Sequence, residues 1–204
     1  MTLSRRSLLS SLALLSASGC GIVPNVSKPL TLYTLNPPHT AEQNLAKVPW
    51  QLVVAEPDAE RDIDTTRIAL TRTTNVIEYF ADGNWSDTAP ALVQAKLIEA
   101  FESTNAIVAV GRDAAGLKPD YILQSDLRDF QAEYSGPVKS NPPVAHVRLI
   151  AKLVQMPDRR IVKSVSGEAS VAAGGTALPA IVTAFQDALG QVLGKIVTGV
   201  LATS

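Results

Sequence analysis

Short apolar runs alternate with turn-forming residues along the chain, and the period of each run names its element. TLYTL (31–35) reads as a strand, and WQLVVAEP (50–57) as a second one closed by proline. TRIALTR and NVIEYFA predict a hairpin turning around Thr73, Thr74 and Asn75. In its second arm Val76, Glu78 and Phe80 face one way, Ile77 and Tyr79 the other. A helix is expected from Asp87 or Thr88, either of which can cap it, with Pro90 tolerated in the first turn. Val93, Leu97, Ile98 and Phe101 make its apolar stripe. AIVAVG (106–111) is apolar throughout and predicts a central strand covered on both faces. Strand, helix, strand is the signature of an α/β unit.

Two long strands follow, YILQSDLRDFQAEY (121–134) and VAHVRLIAKLVQM (144–156), around the loop SGPVKSNPP. A tight turn at DRR leads into IVKSVSGEASVAA. Val147, Leu149, Ala151 and Leu153 alternate with His146, Arg148, Ile150 and Lys152, which predicts an antiparallel meander with one solvated face. The last segment (177–202) sets Ile181, Phe185, Leu189, Val192, Ile196 and Val200 at helical spacing, with Gln186, Asp187, Gln191 and Lys195 opposite. Gly190 and Gly194 each cost such a helix about 1 kcal/mol against Ala. A membrane-surface helix would carry more cations and aromatic anchors than the single lysine and single Phe here, so packing on the sheet is expected. The pattern therefore predicts an α/β fold: one domain, a mixed sheet with long antiparallel strands, and two main helices packed on it.

Composition narrows the function. At 204 residues, 46% hydrophobic and 18% charged, the chain suits one globular domain. A net charge of −1 gives no basic patch to neutralise phosphates, and 5% aromatic residues make no stacking platform, so nucleic acid is not an expected partner. The single cysteine excludes an internal disulfide and a four-thiolate metal site.

That cysteine, Cys20, ends a short apolar run. Arg5 and Arg6 precede apolar residues 8–15, then the small residues Ser16, Ala17, Ser18 and Gly19 lead to Cys20. This is the layout of an export signal over residues 1–19, too short to cross a bilayer core of about 30 Å. Ala17-Ser18-Gly19-Cys20 resembles a bacterial lipobox, with Ala17 where a branched apolar residue is usual. The resemblance implies cleavage before Cys20, a diacylglycerol on its sulfur and an acyl chain, typically palmitate, on the new amino terminus. No other cofactor is expected. SRRSLL resembles the twin-arginine export motif, though paired arginines also occur in ordinary signals. Gly21 follows the cysteine in place of Asp, which by resemblance to enterobacterial sorting rules implies the outer membrane, on its periplasmic side. Residues 20–30 then read as a lipidated tether and residues 31–204 as the folded domain.

Catalytic chemistry is sparse. His39 lies in a proline-flanked loop and His146 on the polar face of a strand, with no G-x-S-x-G turn nearby. GRDAAG (111–116) lacks the Lys and Ser/Thr of a phosphate-binding loop, and reads as an ordinary strand exit. Asp58, Glu60, Asp62 and Asp64 could attract a cation but read as a solvated loop beside Arg61 and Arg67. No catalytic, cofactor-binding or metal residues are assigned, and the chain is expected not to be an enzyme.

The stretch DIDTTRIALTRTTNVIEYFADGNWSDTAPALVQAKLIEAFEST resembles the ABC-type transport auxiliary lipoproteins, the PqiC-like group. The resemblance rests on RIAL, on YFADGNW, and on SDTAP opening a helix with LVQAKLIEAF, and it extends from Tyr33 to the last helix. It implies a lipoprotein that partners the MCE-type periplasmic protein of an ABC transporter moving phospholipid or other lipid between the two membranes, with a homo-oligomeric ring as one arrangement the resemblance allows. A lipid-binding carrier, or another envelope-assembly lipoprotein resembling the TolB N-terminal domain, is the alternative. Candidate partner contacts are Trp85 and the proline-stiffened loop residues Lys139, Ser140, Asn141 and Pro142. Trp85 has a second reading, preferred here, as a plug between hairpin and helix beside Tyr79 and Phe80.

Overall fold

The computed structural model describes residues 29–38, 40, 45–73, 75–112, 118–136 and 141–202. Cys20, residues 1–19, most of the tether, His39, Lys139, Ser140 and most of GRDAAG lie outside them. In chain order the elements are β1 (Thr31–Tyr33), β2 (Val48–Val54), β3 (Asp58–Ala59), β4 (Arg67–Thr71), β5 (Ile77–Trp85), α1 (Ala89–Ser103), β6 (Ile107–Gly111), β7 (Tyr121–Glu133), β8 (Val144–Gln155), β9 (Arg160–Ala172) and α2 (Leu178–Leu201).

The predicted meander forms as β7-β8-β9, antiparallel along nearly its whole length. On its other edge β7 pairs in parallel with three short strands in turn: β2 at Tyr121, β3 at Asp126 and β4 at Gln131. Outside these, β6 lies against β2, β5 against β4, and β1 against β5. The sheet is mixed and the class α/β, as the alternation of elements implied.

Both helices cover one face of this sheet, α2 across β8 and β9 and α1 beside β2 and β6. Val147, Leu149, Ala151 and Leu153 point into that layer and are buried, while His146, Arg148, Ile150 and Lys152 turn to the open face. The six apolar residues expected to form the α2 stripe are all 0% exposed. No described helix is long and apolar enough to cross a membrane. Thr88 caps α1, its hydroxyl accepting from the Ala91 amide, and Pro90 sits in the first turn, where its missing N–H costs nothing. The side chain of Gln94, buried on α1, donates to the Val54 carbonyl at 3.0 Å and ties the helix to β2.

Two expectations are corrected. AIVAVG forms a strand but not a central one: β6 is the outermost strand on its side, and Val108 is 68% exposed. Because both helices take the same face, Ala106, Ile107 and Val110 meet the core while Val108 and Ala109 are exposed. The hairpin of β4 and β5 also breaks its simple alternation. Tyr79 pairs with Ala69 but Asn84 with Arg67, so extra residues bulge out of β5, and Tyr79 and Phe80 are both half-buried.

Candidate functional site

The ionisable side chains of the open face stand in rows fixed by strand register. His146 on β8 lies between two carboxylates: its Nδ1 is 2.8 Å from Glu133 of β7, and its Nε2 is 3.0 Å from Glu168 of β9. Gln131 donates to both Asp129 and Glu133, at 3.2 and 3.1 Å. Arg148 donates to Asp129, and Lys152 lies 3.1 Å from Asp126, which Arg128 also approaches at 3.6 Å. Partial burial by itself pushes the imidazole of His146 towards neutrality. The hydrogen bonds to Glu133 and Glu168 outweigh it and hold the pKa above its ordinary value. These groups answer one another across an open surface of the described residues.

This ladder ends at a cluster of loops. The loop that follows β7 starts at Tyr134, whose amide donates to the Thr71 carbonyl at 2.8 Å. It returns at Pro143, whose carbonyl accepts from Ala173 at 2.8 Å. Asn141 and Pro142 are exposed, as a contact surface requires, and Asn141 folds back towards Gly136. Beside the loop an open cleft of about 390 Å³ is lined by Arg72, Thr73, Asn75, Gln131, Glu133 and Tyr134. Arg72 is paired with Glu78 at 3.0 Å, and Asn75 takes the left-handed conformation (φ 69) that turns the hairpin. Burial raises the pKa of the Tyr134 phenol, and the nearby Arg72 charge offsets part of that.

The expectation of Trp85 as a partner contact is corrected: it is 1% exposed. Its ring meets Phe185 of α2 edge-on at 5.3 Å and Phe130 of β7 at 5.6 Å, and those two lie 5.0 Å apart. Trp85 is thus a plug, but between sheet and α2, with Phe130 and Phe185 as its partners in place of Tyr79 and Phe80. Asp58 lies on β3 and Asp62 in the turn after it; among the described residues no group of three His, Cys, Asp or Glu is placed to hold a metal ion. Sequence reasoning missed Arg72 and Asn75 as neighbours of the loop. The parallel pairing of β4 with the end of β7 brings them there, and parallel register leaves no local signal.

Comparisons with known proteins agree with this architecture. A Xanthomonas campestris protein of the DUF330 family is 32% identical, with a TM-score of 0.78 over 85% of this chain and 95% of its own. An uncharacterised protein of 11% identity has a TM-score of 0.63, over 85% of this chain and 97% of that one. The PelC dodecamer from Paraburkholderia phytofirmans is 12% identical, with a TM-score of 0.45 over 77% and 94%. Comparison with curated proteins gives no match. The model of the ABC-type transport auxiliary lipoprotein component matches residues 33–197, from β1 into the last turns of α2, and the chain belongs to that family.

Proposed function

We propose that the chain is a lipid-anchored, non-catalytic docking component of an MCE-type ABC transport system that moves phospholipid or other lipid across the periplasm. In this reading Cys20 carries the acyl chains and holds the domain at the outer membrane, and the loop end of the meander contacts the MCE-type partner. The observation that carries the reading is the family match over residues 33–197, which takes in α1, most of α2 and every strand from β2 to β9. The geometry supports a docking role because the exposed Asn141 and Pro142 and the cleft beside them stand on long, hydrogen-bonded strands, and a rigid base lowers the entropy cost of recognition.

The test is recovery of partners from crosslinked cells with the tagged full-length chain. Replacing residues 139–142 by Gly-Ser repeats removes the loop's stiffness and its one lysine while leaving β7 and β8 intact. Recovery of an MCE-type protein should fall, with loss of the outer-membrane permeability barrier as the cellular result. Unchanged recovery moves the interface away from this loop. Absence of an MCE-type protein even with the native chain refutes the transporter assignment.

A further inference from the structure

Six large hydrophobic side chains are conspicuously exposed among the described residues: Leu30, Leu32, Val76, Ile77, Val108 and Ile161. Val108 lies on β6 and Ile161 on β9, each alone at a different edge of the sheet. The other four share one edge. Leu30 immediately precedes β1 and Leu32 is its middle residue, and β1 covers only the last three residues of β5, Gly83 to Trp85. Among the described residues the rest of β5 has no partner strand on that side; Ile77 is its first residue and Val76 stands just ahead of it.

Register puts Leu32 and Ile77 on one face. Leu32, Asn84 and Arg67 are Cα partners in one row, and Ile77, Thr71, Glu133 and Val144 in another, both running onto the open face. Arg67, in the first of these rows, lies over the Tyr79 ring at 3.6 Å. The edge therefore combines aliphatic side chains, a phenol ring and an arginine, the mixture that seats a surface at a lipid–water boundary. Asp82 and Glu78 also lie along β5, so apolar contact and not net positive charge must supply the attraction.

We infer that this β1–β5 edge rests on the lipid surface of the membrane that holds the Cys20 anchor; the inference rests on the anchor proposed above. The chain enters the fold at this edge, and Cys20 precedes Pro29 by nine residues. Nine residues span roughly 30 Å when fully extended and about 16 Å on average when relaxed. A domain of this size is roughly 40 Å across, so a tether of that length brings its own point of entry to the lipid before any other edge. β1 runs parallel to β5, so its first residue, Thr31, lies on the side of the strand towards the Ile77 end, and an anchor ahead of it brings Val76 and Ile77 to the same boundary.

The full-length chain is the material for the test, reconstituted into vesicles of phosphatidylethanolamine and phosphatidylglycerol. Cys20 is the only cysteine, so once it is acylated each introduced thiol is unique. Leu32→Cys, Ile77→Cys, Val108→Cys and Ile161→Cys are each labelled with the environment-sensitive fluorophore NBD. All four sites are exposed, so folding is retained and only position differs. With a nitroxide headgroup lipid, emission at 32 and 77 should fall about twofold and shift to the blue, as for groups seated 5–10 Å into the interface, while 108 and 161 stay unchanged. Protein that floats with the vesicles but shows no quenching at 32 and 77, or equal quenching at all four sites, overturns the lipid contact and leaves the anchor standing. Disulfide-linked dimers through Leu32→Cys on the vesicle would place a second copy on the edge and also overturn it. Protein that fails to float, with an intact mass showing unmodified Cys20, refutes the anchor and this inference with it.

Discussion

The Thr40 hydroxyl donates a hydrogen bond to the Gly190 carbonyl, so the segment between β1 and β2 crosses α2 where the helix has no side chain. Four residues earlier the Asn36 amide donates to the Gln186 side chain at 3.0 Å, one helical turn before Gly190. Gly190 and Gly194, two of the three glycines of α2, are the seat of this crossing.

Gly190→Ala should therefore destabilise the domain although alanine is the better helix former. The gain in propensity is about 1 kcal/mol, and over-packing costs about 1–3 kcal/mol. A β-carbon at 190 would lie 2.7 Å from the Pro38 carbonyl oxygen, which is backbone and cannot swing aside. We expect a net loss of about 1 kcal/mol, a fall in Tm of roughly 2–4 °C. Gly174→Ala, with nothing within 4 Å of the new carbon, should have little effect. A higher Tm for Gly190→Ala would show that the crossing segment yields freely.

The aromatic cluster gives a larger effect. Phe185 is 0% exposed between Trp85 and Phe130, so Phe185→Asp buries a carboxylate with no cationic partner among its ring contacts. Phe185→Ala should cost about 3–5 kcal/mol and Phe185→Asp at least as much. Gln186→Asp, one residue on and only partly buried, should cost less than either, by the loss of its bond to Asn36. Equal, small shifts in urea unfolding for the 185 and 186 variants would mean that α2 is not packed as described.

His146 makes stability depend on pH in a stated direction. Its pKa is raised in the folded state by Glu133 and Glu168, so the protonated form binds the fold better than it binds the unfolded chain. That contribution is complete below the unfolded value of about 6.5 and disappears as pH rises through the folded value. Native protein should exceed His146→Gln in stability at pH 5.5 and lose that margin by pH 8.5, measured by denaturant titration. A margin independent of pH would show that the imidazole acts only as a neutral hydrogen-bond partner.

Anchoring has its own test. Cys20→Ser should release the domain into the soluble periplasmic fraction without changing its Tm, because the core is built from residues beyond the tether. Persistent membrane fractionation after a salt wash would mean that something other than lipid on Cys20 holds the protein.

The local elements were legible because their signals are local. Period-two alternation in residues 144–155 marks which side of β8 is buried, since successive side chains must leave opposite faces of a strand. Thr88 and Pro90 mark the start of α1, because only the first turn has unpaired amides for a hydroxyl to satisfy and tolerates a missing one. The family resemblance was legible for a different reason, as short strings at fixed spacing. Neighbours across the sheet were not. An apolar pentamer such as β6 reads alike whether one face or both are covered, and only the placement of both helices on one side left Val108 in solvent. Trp85 could have served the surface or the core until β5 was set against Phe130 and α2 brought Phe185 onto it. Arg72 and Asn75 met the loop through parallel pairing of strands some sixty residues apart in sequence. Periodicity and caps follow from the geometry of one segment, so the amino-acid order alone determined them. Which segments become neighbours depends on how their apolar faces are buried together, and only the tertiary structure decided that.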